Sequence, residues 1–204
     1  MFQRVSRAVF RKPSSEEREF RLIWPIVDSI EGFLVSPVRE RWLFTIARSL
    51  PDGANIVEIG SFKGRSTCCL AYGCRGTKKR VFAIDTFEGN DVDFFHKGFF
   101  EEFRYNVEKC GLTAYVVPIR GLSSQVAQTW DKPIHLLFID GSHDYGDVLA
   151  DFFNFFPHVV PGGIVAVHDV VKTWPGPLKA WHKCIKHHLR DIGYCSTLAY
   201  GVKA

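Results

Sequence analysis

Two short segments place carboxylates beside histidines directly after apolar runs of strand length. Asp140 and His143 follow one such run, and His168 and Asp169 follow another. A histidine has an ordinary pKa near neutrality, so it can take a proton from a substrate hydroxyl, and His143 is the predicted general base. Two imidazoles with two carboxylates would also suit iron, because iron oxygenases use two histidines and one carboxylate. These four residues are the first candidates for chemistry.

A glycine-containing turn follows a third apolar segment, 55–59. The turn reads E-I-G-S-F-K-G-R-S-T from Glu58 onward. Gly60 permits a tight turn, and Gly64 permits close approach of a ligand to the start of a helix. A dinucleotide fingerprint needs glycines where this chain has Phe62 and Arg65, which excludes the nicotinamide interpretation at this turn. The carboxylate of Glu58 favours a cationic or amine-bearing ligand instead.

A further acid, Asp85, follows the apolar segment 80–84. It lies 25 residues after Gly60. An acid at this place in an α/β sheet commonly accepts hydrogen bonds from ribose hydroxyls, so Asp85 is a candidate ribose ligand.

The elements that must position these residues alternate along the chain. Strands are expected at 55–59, 80–84, 114–119, 134–140 and 163–168, with one or two closing strands in 194–202. Helices are expected at 16–31, 37–50, 64–73, 94–110, 123–130, 145–156 and 178–190. Apolar strands alternating with helices predict an α/β fold, with a doubly wound, mostly parallel sheet in three α/β/α layers. Ligands of such sheets bind beyond the carboxyl ends of the strands, where the candidates fall.

The segment 30–71 resembles class I S-adenosylmethionine-dependent methyltransferases, and its E-I-G-S-F-K-G-R-S-T string is similar to their first motif. The similarity is greatest to the small-molecule and sugar O-methyltransferase branch, which includes the caffeoyl-CoA, catechol and macrocin types. The resemblance implies the Rossmann-like fold of that family. It also implies that Glu58 and Gly60 flank the methionine part of the cofactor, that Asp85 holds the ribose, and that Ser123 contacts the adenine. Ser61, Gly64 and Asp140 complete the predicted cofactor-binding set.

The resemblance also implies a divalent cation, because the metal-dependent members hold one with acids after the fourth and fifth strands. The matching positions are Asp140, His168 and Asp169. Magnesium prefers oxygen ligands, whereas manganese, iron or zinc accept imidazole, so His168 departs from the usual magnesium set. The predicted cofactors are therefore S-adenosylmethionine with an optional Mg²⁺ or Mn²⁺.

The predicted reaction moves a methyl group from S-adenosylmethionine to a hydroxyl oxygen of a sugar or phenol, with Asp140 and His143 as the catalytic residues. Two alternatives stay open. One is a metal-dependent, hydroxylase-like enzyme on a related fold, and the other is a protein that binds S-adenosylmethionine without turnover. Nucleic-acid methylation is disfavoured, because the sequence has no N/D-P-P-Y-type motif after the fourth predicted strand.

The chain has 204 residues and a net charge of +4, and the bases within residues 1–12 account for that excess. The remainder is neutral, which argues against a nucleic-acid partner. No apolar run has the length of a membrane span, and no signal-peptide pattern is visible. We expect a cytoplasmic protein with reduced cysteines, no integral membrane association and a small-molecule acceptor. A basic tail and helix are expected at 1–30, where a second subunit could pack, and a methyltransferase domain at 31–204.

Three further segments carry hypotheses. Trp174, in a W-P-G-P segment after the fifth predicted strand, is predicted to belong to a substrate lid. The basic residues from Lys183 to Arg190 are predicted to form a solvated helix end. A group of phenylalanines is predicted to join the core or to wall an acceptor pocket: Phe94, Phe95, Phe99, Phe100 and Phe103.

Overall fold

The computed structural model describes residues 14–32, 36–89 and 98–204. The predicted basic tail lies outside these residues, as do Phe94 and Phe95 and the first part of the helix expected at 94–110. Within the described ranges, no helix combines the length and apolarity that crossing a membrane requires.

The described residues form one seven-stranded sheet. Its strands are β1 (Asn55–Ile59), β2 (Arg80–Asp85), β3 (Val116–Arg120), β4 (Ile134–Ile139), β5 (Val159–Val167), β6 (Leu189–Cys195) and β7 (Leu198–Lys203). The spatial order is β3-β2-β1-β4-β5-β7-β6. The first five strands are parallel, and β7 is antiparallel to both of its neighbours. Strand order reverses between β1 and β4, which opens the ligand-binding crevice of such sheets at their carboxyl ends.

Helices cover both faces of the sheet, which confirms the predicted α/β/α layering. They are α1 (Ser15–Asp28), α2 (Pro37–Ser49), α3 (Arg65–Cys74), α4 (Phe100–Lys109), α5 (Ser123–Ala127), α6 (Tyr145–Phe155) and α7 (Pro175–Lys183). The first four pack on one face, where Phe20, Leu43, Leu70 and Phe103 share a buried core. The last three pack on the other face. Among the phenylalanines predicted for core or pocket, Phe99 and Phe103 are buried.

Several helix ends follow from local chemistry. Ser14 caps α1, because its hydroxyl accepts a hydrogen bond from the backbone N–H of Glu17 at 3.1 Å. Pro37 stands at the first turn of α2, as the sequence predicts, since its missing N–H costs nothing there. Asp144 caps α6 through the backbone N–H of Gly146 at 2.7 Å. This cap fixes the loop that leads from β4 to α6, which contains His143.

The closing part of the chain differs from the expectation. The helix predicted at 178–190 is α7, which begins earlier and ends at Lys183, and β6 begins at Leu189. The prediction of one basic helix end is therefore wrong. A 3-10 turn, Ile185–His188, separates the two elements, and its Ile185 is fully buried. Anchoring this residue in the core outweighs the helical preference of the local sequence.

Strand β5 also begins earlier than predicted. The strand is predicted at 163–168, but the structure also includes the P-G-G segment at 161–163, a sequence typical of turns, in β5. The register against β4 shifts between the pairs Ile134–Val159 and Leu136–Ile164. Between these pairs β5 uses more residues than β4, so the strand includes the turn-forming segment without ending.

Candidate functional site

The turn between β1 and α3 is built on residues in the left-handed region. Gly60 has φ +87°, Phe62 has φ +46° and Gly64 has φ +89°. A bulky residue in this region is an outlier, so Phe62 adopts a backbone conformation that suits glycine. Gly60 is required for a second reason, because a Cβ there would lie 2.2 Å from the backbone oxygen of Asp140. The ends of β1 and β4 therefore meet backbone to backbone at the crevice.

The carboxylate of Asp85 holds this turn in place. Its Oδ2 accepts hydrogen bonds from the backbone N–H groups of Ser61 and Phe62, both at 2.8 Å. Its Oδ1 accepts a third from Phe87 at 2.7 Å. An ionised carboxylate offers about four acceptor positions, so one remains for a ligand hydroxyl. Asp85, predicted as a ribose ligand, is thus also the residue that shapes the turn.

Glu58 lies under the same turn and is completely buried. Its Oε2 accepts hydrogen bonds from the hydroxyls of Ser61, at 2.9 Å, and Thr67. Its Oε1 has no hydrogen-bond partner among the described residues. Burial raises the pKa of Glu58 to about 7, although nearby hydroxyls, led by that of Ser66, oppose the shift. A buried acceptor without a partner is suited to a ligand that brings a donor.

The predicted adenine contact, Ser123, is the first residue of α5. Its hydroxyl donates to Oδ1 of Asp151 at 2.5 Å. Asp151 is buried in α6, and burial raises the pKa of its carboxyl to about 6. The sequence analysis did not identify Asp151. The available signal was one acid in the apolar stretch L-A-D-F-F, a place where a charge is unusual.

The carboxyl ends of β4 and β5 bring three predicted residues together. Asp140, His168 and Asp169 each offer a ligand atom, and these atoms lie within 4.8 Å of one another. Nδ1 of His168 is 2.7 Å from Oδ1 of Asp140 and 3.1 Å from Oδ2 of Asp169. Neither contact has hydrogen-bond geometry, so this buried nitrogen lacks a partner among the described residues, as does Oδ1 of Asp169. Asp169 itself has φ +56°, a conformation that non-glycine residues seldom adopt.

His143 joins this group through Asp169. Its Nε2 is 2.9 Å from Oδ2 of Asp169, and its ring stacks on Trp174 with centroids 3.9 Å apart and planes 16° apart. The backbone of His143 packs closely against Gly176 in the first turn of α7, where a Cβ would lie 2.0 Å from the carbonyl oxygen of His143. Burial would raise the pKa of Asp169, but the hydrogen bond with His143 and then the nearby imidazole of His168 lower it to about 2. Asp169 is therefore ionised and orients the imidazole of His143.

An unpredicted residue, Arg39, lies on the other side of His168. Its Nη1 is 2.7 Å from Nε2 of His168, and the hydroxyl of Thr197 is 2.9 Å from the same nitrogen. Arg39 comes from α2 and is buried with Glu40, which its Nη2 contacts at 2.6 Å. Nothing in a single sequence distinguishes this buried pair from an exposed one.

Opposing influences act on the proton of His168. Burial lowers the pKa of His168, whereas the charges of Asp140 and then Asp169 raise it. Arg39 disfavours the imidazolium. A guanidinium can only donate hydrogen bonds, so at this distance Nε2 of His168 must present its lone pair to Arg39. Two donor nitrogens 2.7 Å apart would repel each other, so the contact with Arg39 decides and the ring is neutral.

The same contact tests whether this group fits a divalent cation. The convergent carboxylates of Asp140 and Asp169 fit one, since Oδ1 of Asp169 is buried without a partner. The imidazole does not fit in this arrangement. A metal-bound Nδ1 leaves the ring proton on Nε2, where it normally donates to an acceptor, and Arg39 cannot accept.

Comparison with known proteins gives a family and a fold. A family model described as a methyltransferase domain matches residues 57–170, more than half of the chain. An uncharacterized protein of Sinorhizobium fredii, y4gI, is 33% identical over 120 residues, which are 56% of this chain and 13% of that protein. The chain thus spans about an eighth of the length of that relative.

Solved structures are similar over most of the chain. The O-methyltransferase from Bacillus cereus in complex with SAH is 22% identical, with a TM-score of 0.64 over 98% of this chain and 95% of that one. The O-methyltransferase NovP is 18% identical, with a TM-score of 0.69 over 83% and 81% of the two chains. TomG from Streptomyces achromogenes, in complex with SAM, is 17% identical, with a TM-score of 0.64 over 97% and 93%. At these identities the similarity establishes the fold.

Proposed function

The chain belongs to the methyltransferase-domain family, and we propose that it transfers the methyl group of S-adenosylmethionine to a hydroxyl oxygen of a small molecule, a sugar or a phenol. The observation that carries this proposal is the pair formed by Asp169 and His143, which lies at the strand ends beside the glycine turn. It provides a base at the place where the fold binds its ligands.

In the proposed binding mode, the cofactor occupies the crevice at the carboxyl ends of β1 and β4. The unpartnered Oε1 of Glu58 is available to the cationic methionine end, and Gly60 and Gly64 supply the positive φ angles on which the turn is built. The remaining acceptor position of Asp85 would receive a ribose hydroxyl. Ser61, Ser123 and Asp140 complete the proposed set, as the resemblance implied.

The proposed chemistry is an in-line displacement at the sulfonium methyl. The acceptor oxygen forms a bond to the methyl carbon while the bond between carbon and sulfur breaks. S-Adenosylhomocysteine leaves as a neutral thioether, and the hydroxyl proton passes to His143. Most of the rate enhancement of such a reaction comes from positioning the two reactants.

His143 is suited to this role because both the position of its ring proton and the orientation of its ring are fixed. The contact between Nε2 and the ionised Asp169 holds the ring proton on Nε2, which leaves the Nδ1 lone pair to accept the proton. Stacking on Trp174 fixes the plane of the ring. After transfer, the nearby carboxylate stabilises the imidazolium. Asp140, one strand away, is proposed to bind the acceptor hydroxyl.

A divalent cation bound by Asp140 and Asp169 would lower the pKa of the acceptor hydroxyl and orient it. Such a metal requirement stays a prediction, as do the cytoplasmic location, the exclusion of nucleic acid, the homodimer and the domain division at residues 30 and 31. The hydroxylase-like alternative gains no support, since an iron site of two histidines and one carboxylate needs His168 as a ligand, and His168 is engaged by Arg39.

The proposal is tested first by calorimetric titration of S-adenosylhomocysteine into chelator-treated protein, followed by methyl-transfer assays with sugars and phenols. We expect micromolar binding that Asp85→Ala removes. We expect His143→Ala to lower kcat about 100-fold while binding the product equally well. His187→Ala, which changes an exposed histidine, is the matched control. Absence of binding with or without Mg²⁺ or Mn²⁺ would overturn the proposed function. Full kcat in His143→Ala would overturn only the assignment of the base.

A further inference from the structure

The contact between Arg39 and His168 fixes where the imidazole carries its proton. Nη1 of Arg39 lies 2.7 Å from Nε2, and guanidinium nitrogens can only donate. Nε2 must therefore present its lone pair to Arg39. A neutral ring with this lone pair engaged carries its proton on Nδ1, the nitrogen that lies 2.7 Å from Asp140 and 3.1 Å from Asp169.

Arg39 is held against His168 by a chain of buried charges. Its Nη2 contacts Oε1 of Glu40 at 2.6 Å, and the same oxygen lies 3.2 Å from Nε of Arg65. Arg65 in turn donates to the backbone oxygens of Asp28, at 3.1 Å, and Ile30, at 2.7 Å. A buried charge is costly unless it is paired, so these contacts explain why the guanidinium stays in place beside the imidazole.

We propose that Arg39 is a positioning residue that places the proton of His168 on Nδ1 and thereby keeps this histidine from binding a metal. A divalent cation at this site is then bound by Asp140 and Asp169 alone, through oxygen ligands of the kind that Mg²⁺ prefers. Arg39 thus selects against zinc and iron, which would gain from an imidazole ligand. The inference concerns the site of the proposed methyl transfer, but its tests need neither cofactor nor acceptor.

The second partner of Nε2 indicates what Arg39 prevents. The hydroxyl of Thr197, 2.9 Å from Nε2, can accept as well as donate. Without the guanidinium, the ring proton could move to Nε2 and donate to Thr197, and the lone pair of Nδ1 would face the two carboxylates. Removing Arg39 should therefore create the three-ligand metal site that the native contact excludes.

The first test is nitrogen NMR of the native protein with labelled histidine at about pH 7.5, with His168 assigned through His168→Ala. We expect an unprotonated Nε2 and a protonated Nδ1 in the neutral ring. A ring protonated on both nitrogens, or on Nε2 alone, would overturn the proposal. This measurement needs no variant of Arg39, so it tests the proposal even if Arg39→Met does not fold.

The second test is calorimetric titration of Zn²⁺ and Mn²⁺ into the chelator-treated protein and its variants. We expect His168→Ala to leave the affinities of the native protein unchanged. Arg39→Met should raise the Zn²⁺ affinity about tenfold or more, and adding His168→Ala should abolish the gain. Arg41→Met, an exposed arginine of the same helix, should change nothing.

Two results would contradict the inference: a native protein whose Zn²⁺ affinity falls in His168→Ala, or a folded Arg39→Met without a gain. Failure of S-adenosylhomocysteine to bind would instead contradict the proposed function, and it would leave these results unaffected.

Discussion

Glu58→Gln should change the way in which stability depends on pH. In the folded protein burial raises the pKa of Glu58 from 4.5 to about 7, so the ionised carboxylate is less favourable in the folded than in the unfolded state. The contribution of this group is therefore most favourable below the unfolded pKa, and it is lost as pH rises through the folded pKa. Glutamine does not titrate, so the variant lacks this loss.

The size of the effect follows from the shift. The folded pKa exceeds the unfolded value by about 2.5 units, and each unit corresponds to about 1.4 kcal/mol. Between about pH 5 and pH 8, linkage gives a loss of roughly 2 to 3 kcal/mol in the native protein, since part of the change is already complete at the lower pH. The hydroxyls of Ser61 and Thr67 can donate to the amide oxygen of glutamine, and any cost of its buried NH₂ group is the same at both pH values.

The assay is urea unfolding of the native protein and Glu58→Gln at these two pH values. For each protein, the change in unfolding free energy between the two pH values is measured, and the change in Glu58→Gln is then subtracted from that in the native protein. The contributions of all other titrating groups cancel in this difference. Glu101→Gln, an exposed glutamate on α4, should follow the native profile. Profiles of Glu58→Gln and the native protein that stay parallel within about 0.5 kcal/mol would refute the reasoning, since that is the error of such comparisons.

Three further predictions concern the crevice and the base. Gly60→Ala should destabilise the protein by about 3 kcal/mol or more in an unfolding assay, and it should abolish S-adenosylhomocysteine binding. Gly53 also has a positive φ but no neighbour within 4 Å, so Gly53→Ala should cost only about 1 kcal/mol in the same assay. Equal costs would contradict the steric argument. Trp174→Ala removes the ring that stacks on His143, so kcat should fall several-fold while product binding stays constant, and an unchanged kcat would speak against a positioning role. Asp151→Asn should be more stable than the native protein by about 2 kcal/mol near pH 8 and equally stable below about pH 4. Burial raises the pKa of Asp151, so its charged form reduces the stability of the native protein as pH rises. Unfolding measurements at both pH values test this prediction, and a difference in stability that does not change with pH would contradict it.

The sequence predicted the fold and the placement of most candidates because both depend on local signals. Apolar runs, each followed by an acid or a glycine, mark the ends of parallel strands, and such ends share one edge of the sheet. Arg39 could not be predicted, because its contact with His168 joins positions 129 residues apart on different elements. The early start of β5 could not be predicted, because the shifted register against β4 accommodates a P-G-G segment that usually signals a turn.

The residues predicted to bind the cofactor were only partly described by the sequence. The structure gathers Glu58, Gly60 and Asp85 around one turn, but it uses Asp85 to hold backbone amides, a role that the ribose prediction did not include. A sequence pattern predicts which side chain stands at a strand end, whereas the number of acceptor positions left for a ligand depends on the neighbouring amides.

The left-handed backbone at Asp169 restricts how this position can evolve. Aspartate, asparagine and glycine tolerate that conformation, and a single base change in an aspartate codon reaches both of the others. Lengthening the side chain to glutamate is an equally small genetic step, but it gives up this backbone tolerance. The most accessible mutants at this codon are therefore folded proteins without the charge that orients His143. Inactive descendants of this enzyme should carry Asn or Gly at this position before the surrounding core changes.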